Sequence, residues 1–157
     1  MRGLFFVALV FVASSALANV RVGEFKAYSS TKNGVTNLIK QTFTSFNAEK
    51  NLLTVSTTVR LPDNREVEVA TNTLSGDDAW THQKAQQVLE SCEDLQGQLD
   101  SINVGGRNHS SCHFQIQDPD TNENIDLWMA DVPLDGVVRI EGPETGTLEL
   151  LSYKWND

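Results

Sequence analysis

Residues 52–61 alternate between apolar and polar side chains, and this alternation limits the fold more than any other feature of the chain. The apolar positions are Leu53, Val55, Val59 and Leu61. A period of two is typical of a β-strand with one buried face and one solvated face. After a Pro-Asp-Asn turn, Val67 and Val69 alternate with glutamates in the same way. Residues 52–71 are therefore predicted to form a β-hairpin with one polar face.

Similar patterns on both sides of this hairpin predict an antiparallel meander. Two strands are predicted before it, at residues 20–29 and 34–47, around a Lys-Asn-Gly turn in which Gly can take a positive φ. Two more are predicted around the turn Gly105-Gly106, with Ile102 and Val104 on the first and Cys112, Phe114 and Ile116 on the second. The last three predicted strands are approximately residues 124–130, 137–142 and 147–155.

One stretch, residues 79–91, predicts a long helix. Residues 75–78, Ser-Gly-Asp-Asp, supply side chains that can cap its first turn. The apolar residues that share one face at helical spacing are Ala85, Val88, Leu89 and Cys92. The whole pattern predicts a single α+β domain, in which a strongly curved antiparallel sheet packs against one long helix.

The N-terminus is typical of a secretory signal peptide at residues 1–18. Arg2 provides the positive charge, residues 4–13 the apolar run, and residues 16–18, Ala-Leu-Ala, the cleavage site. The apolar run is about half as long as a membrane-spanning helix, so no membrane segment is expected after processing. We therefore expect residues 19–157 to form one domain in the periplasm or outside the cell.

Cys92 and Cys112 both lie in the predicted exported domain. In an oxidising compartment, two cysteines in a small domain are usually joined as a disulfide. The competing interpretations are two free thiols or half of a metal site, and the chain has no Cys-x-x-Cys motif to favour the second. A disulfide between these residues closes a loop of about 20 residues, which stabilises a fold by on the order of 3 kcal/mol.

Charge and motif content argue against two classes of function. Twelve Lys and Arg residues face 21 Asp and Glu residues, giving a net charge of -9 and a pI near 4.7. We therefore expect no nucleic-acid partner, because an acidic chain lacks the positive charge that binds phosphates. The sequence also lacks the Gly-x-Ser-x-Gly, His-Glu-x-x-His and phosphate-loop motifs of common enzymes. We therefore predict no enzymatic activity and no cofactor, with an enzyme of unrecognised type as the least favoured alternative.

An acidic stretch offers a candidate calcium site. Its oxygen-bearing residues, at every second position, are Asp118, Asp120, Asn122 and Asn124. This spacing allows a loop to surround Ca²⁺, but an EF-hand requires Gly where the chain has Glu123 and Glu where it has Met129. The alternative is a polar hairpin turn between Ile116 and Ile125, because Asp and Asn bond their own backbone in turns.

Two histidines offer a candidate zinc or copper site. His109 and His113 are four residues apart on a predicted strand, so both point to the same side, and His82 could approach from the helix. The register that buries Cys112 and Phe114 turns both rings outward, which favours solvated surface histidines. A metal-binding envelope module, using these histidines or the acidic loop, is the main alternative function.

The C-terminal half also carries a family resemblance. Its features are Cys92, a Gly-x-Leu strand at residues 97–99, a Gly turn at residues 104–106 and Cys112, then Trp128, Val-Pro-Leu-Asp-Gly-Val-Val at residues 132–138 and Leu-Leu-Ser-Tyr at residues 150–153. In these features the chain resembles small bacterial extracytoplasmic domains of unknown function. The resemblance implies a half-open β-barrel wrapped on a helix, distantly like the periplasmic carriers of lipoproteins.

Such a fold implies a binding function, because half-barrels of this type can hold an acyl chain or a hydrophobic peptide in the concave face. We therefore predict an exported domain that binds a lipid, a hydrophobic peptide or another envelope protein. Four aromatic residues are either core residues or the lining of this groove. They are Trp80, Trp128, Tyr153 and Trp155.

Overall fold

The computed structural model describes residues 21–118, 121–144 and 146–156, so the predicted signal peptide lies outside the described residues. In this part of the chain, nine strands form one sheet and one helix follows the fourth strand. The strands are β1 (Phe25–Lys32), β2 (Val35–Asn47), β3 (Leu52–Arg60), β4 (Glu66–Ser75), β5 (Gln98–Val104), β6 (Arg107–Gln117), β7 (Asn124–Ala130), β8 (Val137–Gly142) and β9 (Gly146–Lys154). The helix is α1 (His82–Glu90).

The sheet consists of two meanders that meet at the first and last strands. The strand order is β4-β3-β2-β1-β9-β8-β7-β6-β5, and every neighbouring pair is antiparallel. The predicted antiparallel sheet is therefore confirmed. The sheet is open, because β4 and β5 each pair with one strand only in the described part of the chain.

The predicted long helix is wrong, because α1 has only nine residues. Pairing of β4 with β3 continues to Ser75, so residues 76–78 form a turn after the strand rather than a helix cap. Thr81 caps the helix instead, and its side chain accepts a hydrogen bond from the backbone N–H of Lys84 at 3.1 Å. Within the described residues, no helix has the length and apolar character needed to cross a membrane.

Two groups of buried side chains form the core. The first contains Tyr28, Ile102, Val104, Ala130, Val132, Val138 and Leu150. The second contains Phe43, Leu53, Val55, Ala79 and Leu134. The loop at residues 131–136, between β7 and β8, contributes to both groups, so it packs into the protein rather than lying on its surface.

The predicted disulfide between Cys92 and Cys112 is confirmed, and it ties the segment after α1 to β6. Both cysteines are fully buried, and their Cα atoms are 5.6 Å apart. Gly97 packs directly against this bond, because a Cβ atom at that position would overlap with the Cys112 sulfur. The Gly at this position is therefore explained by close packing.

Candidate ligand site

Charged residues lie on the buried face of the first strand and the residues before it. Glu24 and Lys26 precede Tyr28 at alternate positions, so all three side chains point to one side. All three are buried, and Lys26 has no exposed surface. The only sequence signal for this arrangement was that Glu24, Lys26 and Tyr28 alternate with Phe25 and Ala27. The burial of Lys26 was not expected from its residue type, because lysine is rarely fully buried unless it is paired.

The ammonium of Lys26 forms an ion pair with Oδ1 of Asp135. The same oxygen accepts a hydrogen bond from the backbone N–H of Val137 at 2.9 Å. The side chain of Asp135 is 53% exposed, so the pair has one buried member and one exposed member. Burial lowers the pKa of Lys26, and the charge of Asp135 partly opposes that effect.

The loop at residues 131–136 positions Asp135. Its backbone is held by a hydrogen bond from Ala130 N–H to the Gly136 carbonyl at 2.8 Å. Gly136 has a φ of +77° and lies directly against the indole of Trp80, where a Cβ atom would overlap with the ring. Only glycine meets both conditions without strain, which fixes the entry of the chain into β8.

A cavity of about 270 Å³ lies beside this ion pair. Its lining residues are Tyr28, Ile39, Gln41, Thr57, Asp135, Val137, Ile140 and Leu148. The hydroxyl of Tyr28 donates a hydrogen bond to the Val137 carbonyl at 3.0 Å, and burial raises the pKa of this tyrosine. The cavity is therefore largely apolar, with polar groups at Gln41, Thr57 and Asp135.

A row of apolar side chains continues from this cavity across the neighbouring strands. Strand pairing places Leu148 opposite Ile140, Ile140 opposite Leu127, and Leu127 opposite Phe114. Residues directly opposite each other in antiparallel strands share one face of the sheet. All four are half-buried, and the row spans three inter-strand spacings, or about 14 Å.

The four aromatic residues predicted as groove lining lie at separate positions, and none of them lines this cavity in the described structure. Trp80 packs on Gly136, and the ring of Trp155 lies 4.1 Å from that of His82. Trp128 is stacked on His113 at 4.2 Å, and Tyr153 contacts His109 edge-on at 5.6 Å. Of the four, Tyr153 and Trp128 also pack against the first core group.

The two histidines of the candidate zinc site share one side of β6 but have different partners. Nε2 of His113 bonds to Asp126 at 2.8 Å, whereas Nε2 of His109 is buried with no hydrogen-bond partner among the described residues. Both rings are partly buried rather than solvated, because Trp128 of β7 covers one and Tyr153 of β9 covers the other. His82 lies elsewhere and bonds to Asp131 at 2.8 Å.

The acidic segment predicted as a calcium loop is described only in part, because Asp120 lies outside the described residues. Oδ1 of Asp118 accepts a hydrogen bond from the Thr121 backbone N–H at 3.1 Å. The backbone N–H of Asn122 donates to the Asp118 carbonyl at 2.9 Å, and Asn124 begins β7. Across residues 21–118, 121–144 and 146–156, no three His, Cys, Asp or Glu side chains are grouped to hold a metal ion.

Comparisons with protein-family models, with curated proteins and with solved structures found no match to this chain. Function must therefore be inferred from the site itself. The cavity beside the Lys26–Asp135 pair combines a mostly apolar lining with a few fixed polar groups. That combination is typical of sites for small ligands.

Proposed function

We propose that this chain is an exported, non-enzymatic domain that binds a small apolar ligand in the cavity between the β1–β3 face and β8–β9. The observation that carries the proposal is the lining, in which Ile39, Val137, Ile140 and Leu148 surround a space open to solvent. Burying a ligand against these side chains removes apolar surface from water, which favours binding.

The size of the cavity limits the ligand. A protein cavity of roughly 150 Å³ lined by apolar side chains can bind benzene, so a volume of about 270 Å³ accommodates on the order of ten non-hydrogen atoms. The half-buried row from Leu148 to Phe114 offers further apolar contact to a longer ligand. An elongated hydrocarbon fits this arrangement better than a globular one.

Two features support export. Residues 1–18 have the pattern of a signal peptide. The buried disulfide between Cys92 and Cys112 is a bond that persists in oxidising compartments. Both fit a protein that works in the periplasm or outside the cell.

Fluorescence titration with N-phenyl-1-naphthylamine, an uncharged dye that brightens in apolar sites, tests the binding proposal. We expect saturable binding to the exported, purified protein. Ile39→Trp should fill the cavity and weaken binding at least tenfold. Val35→Trp, on the exposed end of the same strand, is the matched control and should bind like the wild type. Absence of saturable binding, or equal binding by the Ile39 variant, would overturn the proposal.

A further inference from the structure

The polar groups around the cavity are all able to accept hydrogen bonds. Oδ1 of Asp135 already accepts from Lys26 and Val137, but its Oδ2 has no partner among the described residues. The side chains of Gln41 and Thr57, which are paired across β2 and β3, have no hydrogen-bond partner in the described structure either. Three side chains with unused acceptor oxygens therefore line one apolar cavity.

Strand pairing places these acceptors close together. Lys26 lies opposite Gln41, and Gln41 lies opposite Thr57, so the three residues form one row across β1, β2 and β3. Asp135 reaches this row from the loop at residues 131–136, because its carboxylate bonds to the Lys26 ammonium. Asp135, whose Oδ2 is unpaired among the described residues, thus lines the same part of the cavity as the side chains of Gln41 and Thr57.

We propose that this part of the cavity binds the ammonium group of a primary amine, with Asp135, Gln41 and Thr57 as acceptors and the hydrocarbon tail along the apolar lining. This inference rests on the proposed function, because it assumes that the cavity holds an apolar ligand. A primary ammonium has three N–H donors, which matches the three acceptors.

The charges near the cavity favour a cation over an anion. A ligand ammonium at Oδ2 of Asp135 contacts the carboxylate directly, whereas the Lys26 ammonium is fully buried and bound to the other oxygen. A ligand carboxylate at the same place would be repelled by the Asp135 carboxylate. The Lys26 ammonium could bind the ligand carboxylate only by breaking its ion pair with Asp135. The net charge of -9 also attracts cations to the protein.

Displacement of the bound dye by three ligands with the same tail tests the head-group preference at pH 7. These are octylamine, octanol and octanoate. We expect octylamine to displace the dye at a concentration at least tenfold lower than octanol, and octanoate to be the weakest. Octanol displacing as well as octylamine, or octanoate displacing best, would overturn the inference while the proposed function stands. Failure of the dye to bind would overturn both.

Two variants test whether the preference for octylamine over octanol depends on Asp135 and Thr57. Lys26→Met combined with Asp135→Asn removes both charges, so no unpaired charge stays buried. We expect the ratio of octanol to octylamine displacement concentrations to fall to about one. Thr57→Val leaves the ion pair intact and should lower this ratio several-fold. This variant therefore tests the assignment even if the double variant does not fold. A ratio that stays at the wild-type value in both variants would overturn the assignment.

Asp126→Asn is the control for loss of a carboxylate. Asp126 is next to Leu127 on β7, so its side chain lies on the sheet face opposite the apolar row, where it bonds to His113. This variant loses one negative charge but no group near the cavity, and we expect the wild-type preference for octylamine. A preference lost here as well would show that removing a carboxylate far from the cavity has the same effect, so that Asp135 does not specifically select the amine, and would overturn the inference.

Discussion

The imidazole of His109 is partly buried against Tyr153, and its environment disfavours the protonated form. Burial lowers the pKa of His109, the positive charge of Arg107 lowers it further, and the charge of Asp131 opposes both. The unfolded chain then binds a proton near pH 6.5 that the folded chain does not. Stability from this residue is therefore present above pH 6.5 and is lost as the pH falls from 6.5 through the folded-state pKa.

We predict that His109→Gln reduces the loss of stability that occurs as the pH falls below 6.5. Urea unfolding from pH 8 to pH 5 should show a shallower fall in the free energy of unfolding for the variant than for the wild type. Arg107→Gln provides a second check, because it removes one cause of the lowered pKa and should also make the fall shallower. Equal slopes for the wild type and the His109 variant would contradict the prediction.

Single residues also show how far the sequence could predict the candidate site. The disulfide was predictable because two cysteines allow one pairing in a single chain. The ion pair of Lys26 with Asp135 was not, because the two residues are 109 positions apart and no local pattern connects them. An inward-facing lysine is stable only with its partner in place, so its burial depends on long-range strand pairing.

At the scale of elements, α1 depends on contacts outside itself. It has nine residues, and Ala85 is its one fully buried residue. Helices of this length are unstable alone in water, so tertiary contacts must hold this one in place. The Cys92–Cys112 disulfide anchors the segment that follows it to β6.

We predict that replacing both cysteines, Cys92→Ala with Cys112→Ala, lowers the free energy of unfolding by about 3 kcal/mol, because the bond closes a loop of 20 residues in the unfolded chain. Urea unfolding without reductant measures the change. The wild type in reductant is the matched comparison and should lose a similar amount. A loss below about 1 kcal/mol in both would contradict a stabilising role.

The length of α1 shows where local patterns mislead. The side chains of Ser75, Asp77 and Asp78 are typical of helix caps. Strand β4 nevertheless continues to Ser75, because Ser75 pairs with Leu52 of β3. Thr81, six residues later, provides the cap. The sequence therefore offers two possible helix starts, at residues 75–78 and at Thr81. The helix begins after Thr81 because Ser75 belongs to β4.

At the scale of the whole molecule, the strands could be predicted, but the pairing that joins the two meanders could not. Alternation identifies each strand from a few residues, and short turns pair consecutive strands. The pairing of β1 with β9 joins segments more than 100 residues apart, and places Tyr28 opposite Leu150. This contact creates the face on which the cavity lies, so the position of the candidate site could not be read from local sequence.

Among the described residues, β4 pairs only with β3, so the open sheet leaves it as an edge with unpaired backbone groups. Val67 and Val69 are 41% and 58% exposed on it. Such an edge can pair with a second chain unless charges or irregularities block it. Here Glu66 and Glu68 provide charge, and the pairing with β3 is irregular between Thr57 and Thr58. We infer that the two glutamates keep the edge from self-association.

We predict that Glu66→Thr with Glu68→Thr makes the protein self-associate, because the edge becomes uncharged and keeps its strand preference. Size-exclusion chromatography with light scattering should show a mass that rises with protein concentration. Glu90→Thr with Glu93→Thr, at exposed positions near the end of α1, makes the same change in net charge and should stay at the monomer mass. Equal association of both variants would attribute the effect to net charge, and an edge variant that stays monomeric would contradict the prediction.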